Sequence, residues 1–333
     1  MNAGDWKQRR EGGGWFAIWL IRGIGRHGGR ALARLCLYPI TAYFLLRRID
    51  ERRDSRTSLS RILGRPATLG DVARHIHTFA ATILDRVFLL SGEIERFDVA
   101  VHGVDQLHAQ LDRGQGVLLF GSHLGSFEVL RVIARKRPDY RIRVVLDKAH
   151  NPAMTQLLDA LSPEIAAGVI DASQDGPSLM LAIKQAADEG ALVALLVDRT
   201  QPGAPTQPAL FFGAPAQFPV APWLIAAVLK VPVSLAFGLY RGGNRYDLLF
   251  ESFADEGLDL PRAQRATRIA ALIQRYAGRL EHHVRQAPYN WFNFYDFWNV
   301  HEQPQPAPEG AADAAGGAAA GRDGNGLGRA AGG

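Results

Sequence analysis

His123 and Glu128 stand five positions apart in Gly121-Ser122-His123-Leu124-Gly125-Ser126-Phe127-Glu128. An imidazole oriented by a carboxylate is a general base for a hydroxyl nucleophile. The apolar run 116–120 before this stretch reads as a buried strand, and 129–134 after it reads as the body of a helix. The pair therefore falls where a strand hands over to a helix, a position at which α/β enzymes place chemistry. Five residues along a helix turn through about 500°, so the two share no helical face. They meet only if His123 lies on the turn and Glu128 in the first helical turn. The glycines and serines around them permit such a turn, and the helix dipole would keep Glu128 ionised. The plainer alternative is a surface histidine and an unrelated helical glutamate.

Other chemistry-bearing residues follow further strand-like runs. Asp198 and Arg199 come directly after the apolar stretch 191–197, so they belong at a strand end. They read either as an ion pair that fixes a loop or as groups that face a substrate. Phe211-Phe212-Gly213 and Phe218-Pro219-Val220 lead into an apolar helix and could line a hydrophobic channel or pack as ordinary core. A basic run, Arg131 to Lys148, follows the His-Glu turn; it is either a solvated helix face or an anion-binding face beside the site. The segment 290–298, Asn-Trp-Phe-Asn-Phe-Tyr-Asp-Phe-Trp, is too aromatic for a surface loop. It packs on the core or sits at a membrane interface.

The elements that must position these groups alternate. Thr68-Leu69-Gly70-Asp71 opens a helical pattern to about Leu90. Strands are expected at 97–101, 116–121, 143–146, 168–171, 191–197, 231–237 and 246–251. Helices are expected at 104–111, from Asn151-Pro152, and at 177–189, 222–230 and 262–281. This pattern predicts an α/β domain, a layered mixed sheet flanked by helices, over 66–300.

The 333 residues are 47% hydrophobic, enough for a sizeable core, and include a single cysteine, Cys36. That excludes a disulfide framework and a cysteine-rich metal site. Of the ten histidines, His282-His283 and His75-x-His77 come nearest to ligand pairs, and both read as surface. No metal or cofactor is called for. The net charge of +5 is uneven: residues 1–65 carry +9 and the remainder −4. A basic end of this kind meets an anionic partner. The tryptophan-bearing run 15–21 and the apolar stretch 35–46 favour a membrane over nucleic acid. Neither run approaches the roughly 20 residues of a bilayer span, so a membrane-anchoring helical segment over 1–65, monotopic or re-entrant, is expected. The segment 301–333 ends in a stretch with 9 Gly and 9 Ala from 310 onward and is expected to be disordered.

Taken together, these stretches resemble the bacterial lipid A late acyltransferase family of the lysophospholipid acyltransferase-like superfamily. Gly121 to Glu128 is similar to its His-x4-Glu motif, 196–199 to its second block, and 211–213 with Phe218-Pro219 to its third. The ending 288–298 is similar to a branch associated with aryl-polyene or ornithine-type lipid clusters. The resemblance implies a glycerolipid acyltransferase-like fold on the cytoplasmic face of the cell inner membrane. It implies transfer of a fatty acyl group from acyl carrier protein to a hydroxyl of a membrane glycolipid or lipid precursor. His123 would be the base and Glu128 would hold its tautomer. Backbone amides near Gly125-Ser126 would meet the oxyanion. Asp198, Arg199, Lys148, Phe212, Gly213, Phe218 and Pro219 would serve substrate binding. Val220-Ala221 departs from the related glycerol-phosphate enzymes and argues against that acceptor. The rivals are a thioesterase or lipid hydrolase using the same pair on water, and a non-catalytic membrane-binding protein. The absence of a Gly-x-Ser-x-Gly elbow removes the usual serine nucleophile.

Overall fold

The computed structural model describes residues 14–298 apart from 202, with side chains from residue 29 onward. The side chains of the 15–21 run and the tail from 301 lie outside these residues. The chain begins with α1 (Gly14–Arg47), in which Gly29 (φ 72°, ψ 170°) separates two helical stretches. Next come α2 (Ile49–Leu63) and α3 (Leu69–Leu90). The α/β part then runs β1 (Asp98–His102), α4 (Asp105–Leu111), β2 (Val117–Gly121), a 3-10 turn (Phe127–Leu130), α5 (Arg131–Lys136), β3 (Ile142–Leu146), α6 (Pro152–Leu161), α7 (Pro163–Ala167) and β4 (Val169–Asp171). It continues through α8 (Gly176–Asp188), β5 (Leu192–Leu196), β6 (Thr206–Phe211), β7 (Ala214–Pro219), α9 (Ala221–Leu229), β8 (Val233–Gly242), β9 (Arg245–Ala254) and α10 (Arg265–Gln286).

Seven strands form one sheet in the order β1-β9-β8-β2-β5-β3-β4. β8 runs antiparallel to β9, and every other neighbouring pair is parallel. The sheet is therefore mixed, as the sequence predicts. Central β2 is buried along its whole length. Its alternate side chains enter opposite layers: Val117 and Leu119 face α3, α4 and α5, whereas Leu118 and Phe120 face α8, α9 and α10. Burial on both faces explains why the strand reads as a continuous apolar run.

Three features depart from the pattern read along the chain. α2 lies within the expected N-terminal helical segment but is not apolar: IDERRDSRTSLSRIL is mostly polar and only Ser55, Ser58, Leu59 and Ile62 are buried. Residues 206–219 form an antiparallel hairpin, whose tip puts Phe212 and Gly213 at φ 50° and 76°. The helix expected at 129–134 is short, a 3-10 turn followed by six residues of α5.

α1 docks on the body through Ala33 and Leu37, both buried against α3 and the sheet. Arg30 donates to both carboxylate oxygens of fully buried Asp85 on α3, at 2.7 and 2.9 Å. Tyr246 on β9 donates to the same carboxylate at 2.9 Å. The other side of α1 is exposed and apolar, with Leu32, Leu35, Tyr38, Tyr43 and Leu46 each about half or more exposed. No helix among the described residues is long and apolar enough to cross a membrane.

Candidate active site

β2 and β5 are parallel neighbours, and Gly121 pairs with Leu196 at the end of their register. Two residues beyond on each strand lie His123 and Asp198. The register thus places the two side chains next to each other. His123 Nδ1 is 2.8 Å from Asp198 Oδ1, and the His123 amide donates to Asp198 Oδ2 at 3.0 Å. Asp198 has no exposed surface, while a third of the His123 side chain remains open. Burial pushes the Asp198 pKa up, but the His123 contacts and the Arg199 cation outweigh it, so the group sits below the ordinary carboxylate value and is ionised. An ionised carboxylate can only accept, so Nδ1 carries the proton and Nε2 is left as the basic nitrogen. Burial, followed by the Arg199 cation, holds the His123 pKa below the ordinary histidine value against the pull of Asp198.

The expectation that Glu128 holds the imidazole tautomer is corrected by this geometry, since Asp198 occupies Nδ1. Glu128 turns toward α3, where its Oε1 is 2.6 Å from Arg86 Nε, and its Oε2 accepts from the Ser126 hydroxyl at 3.0 Å. Arg86 was not among the residues singled out by the sequence. It is one of the cations that act on His123, so Glu128 meets the site through it.

The amides proposed for the oxyanion are also occupied. Gly125 N–H donates to Asn290 O and Ser126 N–H to Gly238 O, each at 2.8 Å. This turn lies hard against β8: a Cβ on Gly125 would come within 1.9 Å of Gly238 O, and Gly125 has φ 75°. Only glycine fits that position.

Arg199 donates to Phe292 O and lies over the Tyr295 ring. Lys148 follows β3 at the same end of the sheet, its amide donating to Asp171 at 3.2 Å. The hairpin residues pack. Phe218 and Phe211 are fully buried against Tyr276, Trp291 and Phe297. Pro219 is buried, and Phe212 at the tip donates its amide N–H to the Glu281 carboxylate and carries a guanidinium, Arg285, over its ring. The site therefore gathers His123, Asp198, Arg199, Arg86 and Glu128, with Lys148 one strand beyond Asp198 and the hairpin in the core layer.

The basic run is largely occupied within the protein. Arg131 caps the end of α3 by donating to Leu89 O and Leu90 O. Arg135 pairs with Glu95, Arg137 with Asp112 and Asp139, and Arg141 with Glu189. Two histidines expected at the surface, His75 and His283, are buried at 1% and 4% exposure. Segment 290–298 packs on the core, with Trp291, Phe292 and Phe297 all buried. No group of three or more potential metal ligands converges among the described residues.

In comparison with known proteins, the family model described as bacterial lipid A biosynthesis acyltransferase matches residues 7–299. No individual curated protein matches the chain.

Proposed function

Because this chain belongs to the bacterial lipid A biosynthesis acyltransferase family, and is thus an O-acyltransferase acting on a lipid acceptor, we propose that it moves a fatty acyl group from an acyl carrier protein thioester to a hydroxyl of a membrane glycolipid or lipid precursor, with His123 as general base. The observation that carries this reading is the His123–Asp198 pair. His123 Nε2 takes the proton of the acceptor hydroxyl as its oxygen attacks the thioester carbonyl. The tetrahedral intermediate collapses, the carbon–sulfur bond breaks, and the imidazolium returns the proton to the departing thiolate. Asp198 fixes the ring and stabilises the transient cation. Glu128 holds Arg86 beside the site, and the Arg86 and Arg199 cations supply the positive charge for the developing oxyanion that the occupied amides of Gly125 and Ser126 cannot.

The protein works, on this reading, at the cytoplasmic face of the inner membrane, lying on the surface by the exposed apolar face of α1. An amphipathic helix of this form inserts its apolar side at the headgroup boundary without crossing. Within the basic run, Arg135, Arg137 and Arg141 are paired with acidic side chains of this chain, so the donor assignment rests on the family resemblance.

Lipids extracted from cells that make the wild type or His123→Ala distinguish acyl transfer from hydrolysis. Mass spectrometry should show one lipid class gaining an acyl chain with the wild type only. Turnover should fall about 10²–10⁴-fold in the variant, the usual contribution of a general base. Release of free fatty acid with no acylated lipid would identify a thioesterase instead.

A further inference from the structure

We infer that Asn290-Trp291-Phe292 is a strap that positions the catalytic histidine, and that His75 and Asn290 are positioning residues acting through it. The inference rests on the proposed role of His123. After α10 the chain returns across the end of the sheet and lies antiparallel to the turn that carries His123, with Leu124 bridging Trp291. Phe292 N–H donates to His123 O at 3.0 Å, and Gly125 N–H donates to Asn290 O at 2.8 Å. The His123 peptide is thus held on both sides: its amide by Asp198 and its carbonyl by the strap. A base must stay within a few tenths of an ångström of its productive place, and a misplacement of about 1 Å costs on the order of 10²-fold.

Three polar groups from separate parts of the fold fix the strap. Asn290 Oδ1 accepts from the Tyr240 amide of β8 at 2.7 Å. Arg199, next to Asp198, donates to Phe292 O. His75 Nε2 is 3.0 Å from Trp291 O, and a carbonyl can only accept, so Nε2 carries the proton. His75 Nδ1 then accepts from the Ser55 hydroxyl at 2.8 Å, and its ring stacks on Phe294 with centroids 4.5 Å apart. Asn290 and His75 are both buried. Simple core filling would be met by apolar side chains here. Polar side chains directed at the Trp291 and Phe292 carbonyls and at the Tyr240 amide instead specify where the backbone beside the His123 turn lies.

The test uses the full-length protein with hexadecanoyl-acyl carrier protein as donor and lipids extracted from the host envelope as acceptor. His75→Leu should lower kcat at least tenfold with KM within twofold. His75→Gln, whose amide can still donate to Trp291 O, should recover kcat to within threefold of wild type. In His75→Leu the acidic limb of the rate profile should move to higher pH, as more water reaches the covered part of an imidazole flanked by Asp198, Arg199 and Arg86. A folded His75→Leu protein with kcat within twofold of wild type would overturn the inference, as would equal losses in the Leu and Gln variants. If His75→Leu does not fold, Asn290→Ala is judged by the same kcat and pH criteria; failure of both to fold would make the strap a folding element only and sink the idea. If wild type transfers nothing, the acyltransfer reading fails. Reaction of His123 with diethyl pyrocarbonate, followed peptide by peptide across pH, then still reports whether its pKa rises in His75→Leu.

Discussion

At the scale of single residues, Asp198 serves two donors of the same histidine. Asp198→Asn keeps the shape but offers one acceptor oxygen where the native side chain offers two, and its amide stabilises the wrong tautomer. Turnover is expected to fall by about 10⁴, the loss seen for such a swap in a hydrolase triad, with the donor KM little changed. Steady-state kinetics on the purified variant check this. Because burial and the Arg199 cation hold the His123 pKa below the ordinary histidine value, activity of the wild type should persist to lower pH than an ordinary histidine base would allow and fall as His123 gains its proton. The sequence made His123, Asp198 and Arg199 visible as polar residues at strand ends. It did not show which of them touch, because the contact depends on β2 and β5 being parallel neighbours in a particular register. Glu128 drew attention by its nearness along the chain, yet its partner Arg86 comes from α3. A local spacing cannot reveal a partner brought in by packing.

At the scale of elements, α1 has two unlike sides. Its inner side buries Leu37 completely, worth about 2 kcal/mol, and places Arg30 on Asp85. Arg30→Met leaves that carboxylate buried without its cation and should cost about 3–5 kcal/mol, read as the shift of the unfolding midpoint in denaturant. Its outer side carries the exposed apolar residues. Leu35→Glu with Leu46→Glu should leave stability nearly unchanged, since both side chains already face outward, yet abolish flotation with anionic vesicles. Retained flotation would move the contact to another surface. Other elements were legible to different degrees. The start of α3 was written in Thr68-Leu69-Gly70-Asp71, and the Thr68 hydroxyl and the Asp71 carboxylate do form the reciprocal cap. The packing of α2 on the body was not legible because its few buried positions include two serines. The hairpin was hidden because its tip uses Phe212 in a conformation that favours glycine, and nothing in Phe-Phe-Gly announces that turn.

At the scale of the whole molecule, buried His75 couples stability to pH. Burial lowers its pKa to about 4, from an ordinary value near 6.5. The unfolded chain therefore binds a proton between those limits that the folded protein refuses. Stability is fully present above about pH 6.5 and declines as pH falls toward 4, by up to about 3 kcal/mol. Denaturant unfolding from pH 7 to 4 should show this decline, and His75→Gln should flatten it. The histidine was read as surface from the sequence because its charged neighbours conceal a contact with Trp291 that spans 216 residues.

The separation between His123 and Phe292, 292 − 123 = 169 residues, likewise sets an order of events during synthesis. His123 and the strand before it leave the ribosome well before the strap exists. At about 5–20 residues per second, the interval until Phe292 is made is roughly ten to thirty seconds. Throughout it the nascent chain carries the base and soon its carboxylate, yet lacks the backbone that holds them in register. A chain released early, short of residue 290, would contain every strand of the sheet and, on the proposed reading, is expected to be a poor catalyst. On the proposed reading, arrival of the strap, more than formation of the sheet, is the step that sets this histidine in its working place.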